Sequence, residues 1–447
     1  MSINSILEIG KRSLLAYQSA IKTTSDNISN ADNEYYKRRR VNFDQLNSGY
    51  NALGLSVNDA LRIRQRFAEQ QIYSENQYLG KYQSTNRLLS QIESIFDESS
   101  DAGLSKVIND FFAAWNDLAQ EPESEYARNL VVDKATVLSD NFQRIDGNLQ
   151  SLKDQIVPEA KLQVNEINQK LHLLQKINQQ IRTQANPDLL DQRDKVLDEL
   201  STKLNLQIKE KADGEVNVYS DGILLVSYDV MNELKLESVD TENGPNLQIK
   251  LANGNHVLTV DNGELSSLLE TYNDVIPQYK ARLDRLASGI ANEVNKIHRQ
   301  GENLNGIGGL DFFESDIKGM ADFKVNQAIV NDPSLVASRR PGEAEGSGSI
   351  AREINDLQFK SIFSEGTAHE YYQSFLTQLG DKIQEADYSE NSQKMIIEQL
   401  KNQRDAVTGV SMDEEMTHIV QYQQAYGAAA KMITTVNEMM DTVIQMV

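Results

Sequence analysis

No cysteine occurs in the chain, which excludes disulfides, thiolate metal ligands and cysteine nucleophiles and leaves packing to hold the fold. Proline is scarce, 7 in 447 residues, and there is a single Trp, so the composition is helix-rich and turn-poor with no unusually large aromatic core expected. Basic residues are outnumbered, 44 Lys and Arg against 66 Asp and Glu, for a net charge of -22. That balance disfavours nucleic acid and anionic membrane surfaces as partners. No apolar run of about 18 residues is present, so no membrane insertion is expected. The stretch MSINSILEIGKRSLL carries its basic pair inside an amphipathic pattern and lacks both an apolar core and a small-residue cleavage site, so a cleaved secretory leader is not expected.

Chemistry is equally hard to find. His172, His256, His298, His369 and His418 are scattered, with no His-x-x-x-His spacing, so no metal is expected. The glycines of Asn303 to Gly309 neither follow a strand nor open a helix, as a phosphate-cradling loop does. Asp413, Glu414 and Glu415 fit the first turn of a helix, where the dipole favours acids. No Gly-x-Ser-x-Gly, kinase or Ser-x-x-Lys constellation stands in a supporting context. Neither catalysis nor a cofactor is expected.

What the chain does have is the same apolar stripe at both ends. Ile3, Leu7, Gly10, Leu14, Tyr17, Ile21, Thr24 and Ile28 alternate by four and three residues. So do Met412, Met416, Ile419, Gln423, Tyr426, Ala430, Ile433, Asn437, Met440, Ile444 and Val447. This is the seam of a coiled coil, with Gln423 and Asn437 as polar interruptions that either fix register or face a channel. Further apolar residues flank the second seam at Val420, Met432, Val436, Met439 and Val443. One partner helix cannot cover them all, which points to assembly with other copies or other chains.

Along the whole chain, five segments are expected. Residues 1-59 read as a terminal helix to about residue 31 followed by a connector, in which Lys37 to Arg40 is a solvated basic run beside an acidic surface and 43 to 58 is an extended loop. Residues 60-205 read as a bundle of long helices broken at 99 to 103, at Glu121-Pro122 and at Asn186-Pro187. One of these helices buries the face 156, 160, 164, 167, 171, 174, 177 and 181. At 206-263 the period changes from near 3.6 to 2, with turn signals at Asp213-Gly214, Asp221-Gly222 and Asn253-Gly254, so an inserted antiparallel β domain is expected. Residues 264-408 return to helix, with Gly-rich loops at 301-348 and a strand-like run from Asp322 to Val330. Residues 409-447 form the last helix, opened by a candidate capping box, Ser411 with Glu414. The fold class is mainly α with a small antiparallel β insertion, multidomain, with a central long-helix bundle and paired terminal helices.

Residues 14 to 36, LLAYQSAIKTTSDNISNADNEYY, resemble the N-terminal signature of the flagellar axial proteins, the family of rod, hook and hook-filament junction subunits. Asn27, Ile28, Asn30, Ala31, Asn33 and Tyr36 match that motif, while Tyr35 stands where the family has Gly. Residues 410 to 447, with Tyr422-Gln423-Gln424-Ala425-Tyr426, resemble its C-terminal segment. The middle is similar to the junction members: Phe111-Phe112 through Leu118-Ala119, Pro122, Ala127-Arg128, the run DLLDQRDKVLDELS at 188 to 201, and Lys324-Val325-Asn326 through Asn331-Asp332-Pro333-Ser334. The resemblance implies a structural subunit in a ring between hook and filament. Its partners would be further copies of itself, hook protein, a second junction protein and, before export, a cytoplasmic chaperone at the C-terminal helix. It implies an extracellular location reached by the flagellar type III route. The assembly interface would comprise Ile3, Leu7, Leu14, Tyr17, Ile21, Asn27, Ile28, Asn30, Met412, Met416, Ile419, Tyr422, Tyr426, Met432, Ile433, Val436, Met440 and Ile444. The alternatives are a rod or hook protein of the same family and a cytoplasmic coiled-coil scaffold or adaptor.

Overall fold

A computed structural model describes residues 3–48, 51–57, 61–96, 103–241 and 244–446 of the protein. The side chain of Ile3, the side chains of 44–57, the expected break at 99–102 and Val447 lie outside the described set. Among the described residues helix dominates, with four small antiparallel sheets. Helix α1 is Ile3–Ser29, and a connector holds strands β1 (Arg39–Arg40), β2 (Phe43–Ser48), β3 (Asn51–Val57) and β4 (Leu61–Arg62). The expected loop at 43 to 58 is thus a hairpin, paired from Phe43 with Val57 to Ser48 with Asn51. Its apolar alternation is too weak to announce it, and the ladder of backbone hydrogen bonds supplies what the side-chain pattern does not.

The body follows. Helices α2 (Arg66–Phe96), α3 (Leu104–Gln120), α4 (Glu125–Gln184) and α5 (Pro187–Ser201) form the bundle. Helix α4 runs 60 residues without a break, about 90 Å at roughly 1.5 Å per residue, and its lower half buries Ile156, Ala160, Val164, Ile167, Leu171, Leu174, Ile177 and Ile181 as the period predicts. Asn186 caps α5 by accepting from the Leu189 amide at 2.9 Å, and Pro187 supplies the first turn, where its missing N–H costs nothing. The β insertion comprises two three-stranded sheets. One is β5 (Gln207–Glu210), β6 (Val216–Ser220) and β7 (Ile223–Val226); the other orders β8 (Leu234–Thr241), β9 (Gly244–Leu251) and β10 (Val257–Leu258) as β10-β9-β8. Gly263, at φ +86°, returns the chain to helix where a Cβ would come within 2.5 Å of the Leu204 amide nitrogen, so only glycine fits.

Helices α6 (Glu264–Glu270) and α7 (Ile276–His298) then re-enter the bundle through one π-helical turn at Thr271–Val275. The strand-like run at 322 to 330 is a correction: Asn326 accepts from the Ala328 amide and starts a short helix, α8 (Gln327–Asn331). After α9 (Ser349–Asn355), helix α10 (Ala368–Thr408) opens with a complete capping box between Thr367 and Glu370. Helix α11 (Met412–Met446) ends the described chain.

The aromatic core is larger than composition suggests. Phe111, Phe112 and Trp115 of α3 meet Phe312, Phe313 and Phe323 of the late loop, all buried, with ring centroids 4.6 to 6.4 Å apart. Arg128 ties the same loop to the start of α4 by donating to the carbonyls of Pro122 and Val336 and to the Ser338 hydroxyl. One continuous apolar core therefore runs from α2 to the first half of α10, and no described side chain of α1 or α11 belongs to it.

Candidate assembly interface

Helices α1 and α11 pack on each other and stand apart from the body helices. They run antiparallel: Gly10 lies against Ile433, Tyr17 against Tyr422 with ring centroids 6.5 Å apart, and Asn27 against Glu415. The buried positions of α1 are small, Gly10, Ala16, Ala20, Thr24 and Asn27, which lets the backbones approach closely. A Cβ on Gly10 would come within 2.7 Å of Ile433 Cγ1. Opposite them, α11 buries Glu415, Ala429 and Val436 and half-buries Ile419, Tyr422, Ala425, Ile433 and Met440.

This seam lies mostly one residue before the one drawn from the sequence. Tyr422 rather than Gln423, Ala429 rather than Ala430, and Val436 rather than Asn437 face the partner. Because α11 is apolar around most of its circumference, periodicity alone cannot choose the face, and the small residues of α1 decide it. Gln423 and Asn437 are exposed and do not fix register within the pair. That part falls to Asn27. Its amide donates to Arg39 O at 2.9 Å and to Glu415 Oε2 at 3.0 Å, while its carbonyl accepts from the Tyr36 hydroxyl at 2.8 Å and the Arg39 amide at 3.0 Å. Burial pushes the Tyr36 phenol up to about 12, so it remains a donor.

Of the other expected interface residues, Leu7, Leu14, Tyr17, Ile21 and Ile28 are half-buried along α1, as is Asn30 just past its end, whose side-chain amide donates to Asp26 O. Met412, Met416, Tyr426, Met432 and Ile444 are exposed, with Val420, Met439 and Val443 beside them. Tyr35, in place of the family's Gly, needs no left-handed backbone: among the described non-glycine residues only Asp221 and Asp316 have positive φ. Its hydroxyl instead bonds Asp198.

The basic run does lie beside acidic residues, but of its four residues only Arg40 is exposed, which corrects the expectation that the run is solvated. Lys37 is buried; Arg38 pairs with Glu414 and Glu415 of α11, both at 2.7 Å; and Arg39 pairs with Asp188 and Asp191 of α5. The Glu414 carboxylate expected in a capping box is thus turned to Arg38. Arg62 adds pairs to Asp191 and Asp194, and Arg64 to Glu69 and Glu210. Burial raises Asp194, but the Arg193, Arg62 and Arg64 guanidiniums outweigh it and hold the carboxyl below its ordinary range. Among the described residues no group of His, Asp or Glu is arranged to hold a metal, and no helix is long and apolar enough to cross a membrane.

Paired first and last helices, carried on a helical body through an extended connector, are the architecture of a flagellar axial protein. The C-terminal family model of the flagellar basal body rod FlgEFG proteins matches residues 403–446. Half of the chain, residues 89–313, matches the flagellar hook-associated protein FlgK helical domain, and the chain belongs to that family. It is 27% identical to flagellar hook-associated protein 1 of Bacillus subtilis, covering 98% of this chain and 97% of the relative. The proteins of the same name from Escherichia coli and Salmonella typhimurium are each 22% identical over 99% of this chain and their full length. A solved flagellar hook junction protein FlgK from Burkholderia pseudomallei shares the fold, with a TM-score of 0.65 at 13% identity over 74% of this chain and 99% of that one.

Proposed function

We propose that this chain is a structural subunit of the bacterial flagellum, placed at the junction between hook and filament and assembled there through its terminal helices. The observation that carries the assembly reading is the apolar surface of α11 that α1 leaves uncovered. Met416, Val420, Met439, Val443 and Ile444 are 49 to 68% exposed on a helix already packed against α1. Exposed apolar stripes of this length mark a surface awaiting partners. Further copies in a ring would cover part of it, with hook protein on one side and a second junction protein on the other. In the cytoplasm an export chaperone at the same helix would shield it before the chain leaves for the cell exterior.

The same surface gives no support to catalysis, and we read the chain as structural, without a cofactor. A rod or hook protein of the family is the weaker alternative, because the FlgK helical-domain match lies in the body and not in the shared ends. A cytoplasmic adaptor would be retained in the cell, which fractionation tests directly. Deleting residues 412–447 is expected to abolish ring assembly and motility while the body, whose core excludes α11, keeps its cooperative unfolding transition. Normal motility in that mutant would sink the reading.

A further inference from the structure

Among the described residues, ion pairs of the connector tie the terminal pair to the body. The continuous core stops short of α1 and α11, and what crosses the gap is the connector. Its strands β1 and β4 place Arg39 directly opposite Arg62. Two like charges opposed on a strand pair repel, so this pairing needs an anion between them. Helix α5 supplies it. Asp188, Asp191 and Asp194 recur every three residues on one helical face, and Asp191 accepts from Arg39 Nη2 at 3.1 Å and from Arg62 Nε at 2.8 Å. Arg38, next in line, reaches the other way to Glu414 and Glu415, and its amide donates to Thr408 O where α10 gives way to α11.

The cluster is buried yet not saturated. Arg39 Nε, Arg62 Nη1 and Glu69 Oε1 make no hydrogen bond within the protein. Lys37, Glu69, Asp194, Asp198 and Arg404 surround a cavity of about 20 Å³ beside it. Forked, directional ion pairs specify orientation. Spare donors and acceptors let partners be exchanged without exposing apolar surface. We propose that the basic connector and the acidic face of α5 form an ionic joint, which sets the angle of the α1–α11 pair on the body and can reset it without disturbing the body's core. The joint is a property of the single chain; only its use inside a ring rests on the junction reading.

The absence of native cysteine makes the test direct. Spin labels at Lys431→Cys on α11 and Lys161→Cys on α4, both exposed positions, report the angle as a distance distribution in the full-length monomer. The parent is expected to give one narrow distribution, and Arg39→Met with Arg62→Met to broaden it about twofold or more. Amides of the joint, such as Ile63 and Arg38, are expected to exchange about tenfold faster while α4 protection is unchanged. Asp191→Asn, a milder change, should do the same. Removing the exposed Arg12–Glu8 pair should do neither. A distribution equally narrow in the variants, or broad already in the parent, would overturn the proposal. So would loss of α4 protection, which would make the cluster part of the body fold. Because these readouts use the monomer, a variant that broadens the distribution but still forms rings counts against the junction's need for the joint and not against the joint.

Discussion

The body holds His298 uncharged. It is buried, its Nδ1 bonds Leu310 O at 2.7 Å, and its Nε2 accepts from the Ala337 amide at 2.9 Å, which fixes a neutral tautomer. Burial, aided slightly by Arg128, lowers its pKa from 6.5 to about 4. The unfolded chain therefore binds a proton that the folded one refuses between those values. Stability from this site is complete above pH 6.5 and is lost as the pH falls towards 4, by ~3 kcal/mol in all. Urea midpoints measured from pH 4 to 7 should rise steeply in the parent and less in His298→Gln; equal slopes would remove His298 as the cause. Asn27 is the corresponding residue of the terminal pair. Its place in the family motif is legible in the sequence, but its four partners come from residues 36, 39 and 415, and no local pattern names them.

At the scale of elements, α4 and α11 show when periodicity suffices. The face of α4 from Ile156 to Ile181 alternates cleanly with polar residues, so one stripe exists and one is buried. Helix α11 carries apolar residues on several faces, so the pattern admits more than one seam, and the small residues of α1 select between them. Gly10 is the closest point of that selection. Gly10→Leu is expected to push against Ile433 and cost the pair about 1–3 kcal/mol, the usual scale of overpacking, although leucine is the better helix former. Hydrogen exchange should show faster opening of 412–446 with the main thermal transition unmoved; unchanged protection would mean the helices can spread without loss. The DLLDQRDKVLDELS run is readable as a helix with a polar face, but not as the seat of arginines 149 and 129 residues away in the chain.

For the whole molecule, the division between a self-contained body and a terminal pair with uncovered apolar surface predicts separable defects. Met416, Val420 and Val443 are all about half-exposed on α11. Changing the three to Ser should alter monomer stability little, since exposed substitutions usually stay within about 0.5 kcal/mol each. Ring formation and motility should nonetheless be lost. Analytical ultracentrifugation and a motility assay check both halves, and a triple variant that still assembles would place the neighbour-binding face elsewhere on α11.

Much of this architecture was local information. Helix periods, the start of α5 at Asn186-Pro187, the change of period at 206 and the residues of the family motif are all set by neighbours within a few positions, where side-chain spacing and backbone preference act directly. The hairpin at 43–57, the face of α11 that meets α1, and the pairing of Arg38, Arg39 and Arg62 with acids on α5 and α11 were decided only by the tertiary structure. In each of these the sequence offers several positions of equal local merit. The choice among them is made by which chain segment arrives opposite, close enough to exclude water and with the complementary size or charge.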